Sequence, residues 1–350
     1  MQPELFLHVG IHKTGTTFLQ LLLQKHRQLL LSADRLLFPN TGLSAPKHHG
    51  PKANGLPGHD GFCSPSERNS MVRALAEEIA STAPRRVFIS AENLSTTAPQ
   101  HVRALVRDLE GIGPVSIMIT LRRQDKWIDS FYRQQVAGNR HGETRDFRKY
   151  LEDAGPALLD YANRFGFFRD TGFSGEFIAA SFDDMTKGPG IARWFCQTVG
   201  ADQAADTLCS SDVPRYASLT RLETEITRLM NLSPTLGSAR RTELLRAVYE
   251  LGSATDTPFT TSDIFEELRS VYEPKNLALA REWNISPAAE FTTWTKPKRT
   301  EEWSDHYEAI ANQLAIAVNA MYMPAGRARH LRRLADTWID LRRLAGMKRH

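Results

Sequence analysis

The chain has 350 residues, of which 41% are hydrophobic and 24% charged, with a formal net charge of +4. These values are ordinary for a globular enzyme of one large α/β domain or two modest ones, and the basic excess is too small to indicate a nucleic-acid partner. Cys63, Cys196 and Cys209 are odd in number and lack metal-ligand spacing, so neither a disulfide framework nor a zinc site is expected.

Met-Gln-Pro-Glu leads directly into the apolar run Leu5 to Val9, which leaves no room for a basic n-region and apolar h-region. No run reaches the roughly 18 apolar residues of a membrane span. A cytoplasmic protein is expected. The run stops at Gly10, and from Thr16 the pattern turns helical with Phe18, Leu19, Leu22 and Leu23. Strand, glycine loop and helix are therefore predicted in succession, the setting in which backbone N–H groups and a helix N-terminus hold phosphate.

From Asn40 to Ser66 the Gly/Pro/His-rich stretch KHHGPKANGLPGHDGFCSP has neither strand nor helix periodicity, and a loop of that length predicts a functional or disordered segment. Further strands are predicted at Val87 to Ser90, Val115 to Leu121 and Phe177 to Ala180, separated by helical periodicity. Such alternation implies a parallel sheet covered by helices. After about residue 215 the pattern is mainly helical, without a linker or internal repeat.

The loop Gly10-Ile-His12-Lys13-Thr14-Gly15-Thr16-Thr17 departs from the triphosphatase pattern G-x-x-x-x-G-K-[ST], because Thr16 follows Gly15 and the lysine lies inside the loop. In this it resembles the K-[ST]-G-[ST]-[ST] phosphosulfate loop of the sulfotransferases that use 3′-phosphoadenosine-5′-phosphosulfate. That resemblance implies a P-loop-like three-layer α/β sandwich with a central parallel sheet and a helical C-terminal extension. It also implies transfer of a sulfuryl group from that co-substrate to a hydroxyl, without a metal. His12, Lys13, Thr14, Gly15, Thr16 and Thr17 would hold the 5′-phosphate, with Lys13 also neutralising the departing oxygen.

The strand ending at Leu121 leads into Arg122, and Ser130 follows eight residues later, which resembles the family's R-[DN]-P-x-x-x-x-x-S-x-[YF] pattern for the 3′-phosphate. A guanidinium makes paired charge-assisted bonds to phosphate oxygens, and a helix-borne hydroxyl adds a neutral donor. Arg123-Gln124 replaces the pattern's acidic or amide residue and proline.

The acceptor hydroxyl must lose a proton, so a base is expected at the carboxyl edge of the sheet. Glu92, in Ser90-Ala-Glu-Asn-Leu-Ser95, resembles the S-x-E-N-[LF]-S run of bacterial carbohydrate sulfotransferase-like proteins and is the first candidate. Its alternative role is to cap the next helix or orient the loop. His49 is the second candidate base, with His48 and His59 beside it in the long loop.

Tyr272, Asn276 and Arg281 resemble a Y-x-x-x-N-x-x-[LI]-A-[RK] signature, on a helix expected to pack with Leu277 and Ala280 inward. From Gly326 the tail carries eight Lys or Arg against two Asp, with Leu331, Leu334, Trp338, Leu341 and Ala345 on one stripe. The expected organisation is a sulfotransferase domain over 1–325 and a basic amphipathic helix over 326–350. That helix either docks on the domain or lies peripherally on the inner membrane surface.

The acceptor expected is a carbohydrate or glycolipid hydroxyl. Two other readings stand beside it, a P-loop small-molecule kinase and a non-catalytic protein that binds a nucleotide or an anionic glycan.

Overall fold

A computed structural model of the chain describes residues 2–42, 65–138, 142–187, 190–213, 218–232 and 257–296. It is an α/β protein with a five-stranded, all-parallel sheet in the order β2-β3-β1-β4-β5. The strands are β1 Glu4–Gly10, β2 Leu36–Leu37, β3 Arg86–Ser90, β4 Val115–Leu121 and β5 Phe177–Ser181. The helices between them are α1 Thr16–Asp34, α2 Pro65–Thr82, α3 Pro99–Glu110, α4 Gln124–Ala137, α5 Phe147–Leu159 and α6 Tyr161–Phe165. After β5 come α7 Phe182–Lys187, α8 Ile191–Val199, α9 Ala205–Ser210 and α10 Arg221–Asn231. Two further helices span Ser262–Glu282 and Ala289–Thr292.

The four long strands coincide with the apolar runs, because a parallel strand covered by helices on both faces is apolar at most positions without alternation. All seven residues of β4 are buried. The two-residue β2 has too little sequence for a periodic signal. On one face Leu19, Leu22 and Leu23 of α1 pack with Phe88, Met118 and Phe195, and the Phe88 and Phe195 rings meet edge to face with centroids 4.8 Å apart. Burying each such side chain contributes about 1.5 to 3 kcal/mol. In α3, Pro99 opens the first turn, and Val102, Leu105, Val106 and Leu109 form the buried stripe.

The chain forms two compact units. The first comprises 1–127, 157–216 and 268–295 and contains the sheet. The second comprises 128–156, 217–267 and 296–350. Its described core gathers Tyr132, Phe147, Tyr150 and Phe259, with Tyr132 5.1 to 5.3 Å from each of the other rings. Within it Thr220 and Glu223 close a reciprocal capping box on α10.

The long C-terminal helix differs from expectation in its inward face. Leu277 is exposed, while Tyr272, Asn276 and Leu279 are buried. Asn276 exchanges amide hydrogen bonds with Gln124 at 2.8 Å and donates to the Phe291 carbonyl at 3.0 Å, so the helix turns its polar position inward. Among the described residues no helix is long and apolar enough to cross a membrane. The basic helix over 326–350 lies outside the described residues.

Candidate functional site

β1 is flanked by β3 and β4, so three strand ends deliver their following residues to one edge of the sheet. After β1 comes the loop Ile11 to Gly15, after β3 a 3₁₀ helix Glu92–Thr96, and after β4 Arg122. This is the edge at which open parallel sheets bind ligands.

In the loop, Lys13 and Gly15 both have left-handed backbone, with φ of 66° and 74°. Alternation of left-handed and right-handed residues turns successive N–H groups toward one concave side, the geometry of an anion nest. A left-handed lysine costs about 1 to 3 kcal/mol, so its surroundings must hold it. Gly15 is required twice over, by its φ and because a Cβ there would lie 2.8 Å from Ile191 Cδ1 and from the Phe182 ring.

The loop carbonyls are drawn to protein donors. Thr14 Oγ1–H donates to the Ile11 carbonyl at 2.6 Å, Trp127 Nε1–H to the His12 carbonyl at 2.7 Å, and Arg122 Nη1–H to the Lys13 carbonyl at 3.3 Å. In a trans peptide the C=O and N–H point opposite ways. The N–H groups of His12, Lys13 and Thr14 therefore each point away from the donor that holds the preceding carbonyl. The Gly15 carbonyl accepts from Leu19 N–H at 3.1 Å and starts α1.

Glu92 is joined to this loop. Its Oε2 accepts from Thr16 Oγ1–H at 2.7 Å, and its Oε1 lies 3.4 Å from His12 Nδ1. Burial raises its pKa, but the bonds to His12 and Thr16 and the charge of Lys13 outweigh it and hold the carboxyl below its ordinary value. Glu92 is consequently ionised near neutral pH. The structure thus gives Glu92 the loop-orienting contacts of the alternative reading while keeping it beside Lys13.

Arg122 is half-buried, with its guanidinium 5.2 Å over the Phe182 ring and its Nε 3.5 Å from Asp183 Oδ1. That Nε has no hydrogen-bond partner among the described residues. Tyr161 O–H donates to the Arg122 carbonyl at 2.8 Å. Lys126, one turn on, lies 3.4 Å from the same Asp183 oxygen and 3.6 Å from Glu290 Oε2. The turn lacks the proline of the sulfotransferase pattern, and here Arg123 braces it. The fully buried guanidinium makes a paired bond to Asp125 at 2.7 and 2.9 Å and donates to the Thr293 carbonyl at 3.1 Å.

Of the expected site residues, His12, Lys13, Thr14, Gly15, Thr16, Glu92 and Arg122 lie at this one edge, and Thr17 continues into α1. Ser130 is half-buried on α4 and belongs to the second compact unit. His49 lies outside the described residues, as do His48 and His59.

Sequence reasoning missed His8, Ser90, Gln20 and Thr120, which form a buried polar group beneath the loop. His8 Nδ1 is 3.0 Å from Ser90 Oγ, and its Nε2 is 3.4 Å from Thr120 Oγ1. Gln20 Nε2–H donates to Ser90 Oγ at 3.0 Å, and Thr120 Oγ1 is 3.0 Å from Thr14 Oγ1. A histidine inside an otherwise apolar buried strand was the available signal. It also missed Asp183 and Lys126, for which spacing offers no clue.

Comparison with protein-family models, with curated proteins and with solved structures finds no match to this chain.

Proposed function

We propose that the chain is a sulfotransferase of P-loop-like sandwich architecture. It moves a sulfuryl group from 3′-phosphoadenosine-5′-phosphosulfate to a hydroxyl of a carbohydrate, glycolipid or related acceptor, in the cytoplasm. The observation that carries this reading is the loop, in which the carbonyls of Ile11, His12 and Lys13 are each held by a protein donor and the N–H group that follows each one faces away from that donor, with Lys13 inside the loop and Arg122 beside it.

In this reading the loop amides, Thr16 and Thr17 hold the 5′-phosphate, and Arg122 takes the 3′-phosphate. The acceptor oxygen attacks sulfur in line, the bond from sulfur to the 5′-phosphate oxygen breaks, and the acceptor proton passes to Glu92. Lys13 neutralises charge on the leaving oxygen, the group of electrostatic contributions that dominates such transfers. His12 and Thr16 each contact one oxygen of Glu92, and each oxygen keeps a further lone pair for the acceptor hydroxyl. The low proton affinity of Glu92 suits a late proton transfer, when the acceptor oxygen is already acidified by its new bond to sulfur.

Calorimetric titration of the protein with adenosine 3′,5′-bisphosphate, ATP and 5′-AMP tests this, with and without a chelator. The bisphosphate is expected to bind tightest, without metal, and Arg122→Ala to weaken it by about 10- to 100-fold, the worth of a charge-assisted pair. Tighter binding of ATP, or indifference to the 3′-phosphate, would replace this proposal with a kinase or a simple binding protein.

A further inference from the structure

The buried polar group beneath the loop has a direction that donor counting settles. Thr14 has one hydroxyl proton, and it goes to the Ile11 carbonyl at 2.6 Å. Thr120 must then be the donor in the 3.0 Å contact between the two threonine hydroxyls. With its own proton spent, Thr120 Oγ1 accepts from His8 Nε2–H at 3.4 Å. The bare Nδ1 of His8 accepts from Ser90 Oγ–H at 3.0 Å, and Ser90 Oγ accepts from Gln20 Nε2–H at 3.0 Å. One unidirectional chain therefore runs Gln20, Ser90, His8, Thr120, Thr14 and ends on the Ile11 carbonyl.

All five side chains are buried, none more than 6% exposed. The chain crosses three adjacent strands immediately below the site. Ser90 lies two residues before Glu92 and Thr120 two before Arg122, while Thr14 is in the loop itself. His8 is the link that spans β3 and β4 from β1, and its ring stacks on Phe88 at 5.6 Å. Gly10 leaves room for this arrangement, since a Cβ there would meet His8 Cε1 at 3.0 Å and Thr16 Cγ2 at 2.2 Å.

We propose that His8 is a positioning residue for the anion loop, because its imidazole carries the hydrogen-bond chain that holds the Ile11 carbonyl down and so points the His12 N–H at the ligand. The proposal rests on the loop being an anion site, as in the reading above. It adds that His8, which touches no ligand, sets that site's affinity through Thr120 and Thr14. Burial lowers the pKa of His8 to about 4, against a smaller opposing effect of Glu92, which keeps the ring in the single-donor form the chain needs.

The test is a double-mutant cycle with His8→Phe, which keeps an aromatic ring, and Thr120→Val, which keeps the shape of threonine without its hydroxyl. Binding of adenosine 3′,5′-bisphosphate and of inorganic pyrophosphate is measured by calorimetry. Each single variant is expected to weaken binding about tenfold, as loss of one buried link does, and the double variant to be no worse than either alone, because one chain can be broken only once. Thr120→Ser, which restores the hydroxyl, should bind as the wild type does.

In the wild type, the imidazole nitrogen spectrum should show His8 as the Nε2–H tautomer at pH 7. Additive losses, unchanged affinity in Thr120→Val, or an Nδ1–H tautomer would each overturn the proposal. If His8→Phe does not fold, the Thr120 pair and the tautomer decide alone. Binding of pyrophosphate without preference for the bisphosphate would remove the sulfotransferase reading and leave the role of His8 to be judged on pyrophosphate. Binding of neither would remove both.

Discussion

His8 shows how burial alone sets a residue's chemistry. Its ring is 1% exposed and its pKa falls from 6.5 to about 4, so the folded protein resists protonating it while the unfolded chain does not. The unfolded state therefore binds the proton first as pH falls. Stability from this group is complete above 6.5 and is lost as pH drops from 6.5 toward 4, by roughly 3 kcal/mol in all. Urea unfolding at pH 7.5 and pH 5 should show a fall in the wild type that is smaller in His8→Phe, and an equal fall in both would show that other groups account for it.

Glu92 illustrates the opposite balance at the same scale. Burial alone would raise its pKa, yet the His12 and Thr16 contacts and the charge of Lys13 keep it ionised. The sequence presents both as single polar letters near strand ends. Only their neighbours from other strands decide that one is neutral and the other charged.

At the scale of the element, strand β1, its loop and α1 were legible as a unit, because an apolar run, glycines and a new 3.6-residue period follow one another without interruption. The left-handed lysine was not legible, since nothing in Gly-Ile-His-Lys-Thr-Gly marks which residue turns. Gly15→Ala is expected to destabilise the protein by about 1 to 3 kcal/mol, through its positive φ and the contact of the new methyl with Ile191 and Phe182. It should also weaken pyrophosphate binding, because relief of that contact displaces the loop. Unaltered urea midpoint and affinity would show that the loop is not tightly held.

The turn into α4 is the converse case. The resemblance to the sulfotransferase pattern supplied a proline that this chain lacks, and the Arg123 to Asp125 pair does the bracing in its place. The exposed Leu277 has a similar cause, since the Gln124 amide bonds Asn276 and rotates the long helix to bury that residue.

At the scale of the whole molecule, the chain divides into two compact units, each held by its own interior. In the second, Asp129 bonds Arg133 Nε at 2.6 Å and accepts from the Phe259 N–H at 2.5 Å. Arg133 in turn donates to the Leu219 and Thr257 carbonyls at 2.7 and 3.0 Å. Removing the carboxylate in Asp129→Ala would take a close counter-charge from the buried guanidinium and the acceptor from the Phe259 N–H, at a cost of about 3 to 5 kcal/mol. A loss of under about 1 kcal/mol in urea unfolding would mean that the four contacts are loose.

Taken by itself, the sequence determined the local structure. Apolar runs without alternation specified buried parallel strands, and glycines around a loop lysine specified a turn between the first strand and its helix. These follow from period and backbone freedom, which act over a few residues. The tertiary structure alone decided that Glu92 reaches Thr16 and His12, that Asp183 lies beside Arg122 and Lys126, and that a histidine in the first strand aligns the loop above it. Those contacts join residues as far as 112 positions apart, and only the strand order brings them within hydrogen-bonding distance.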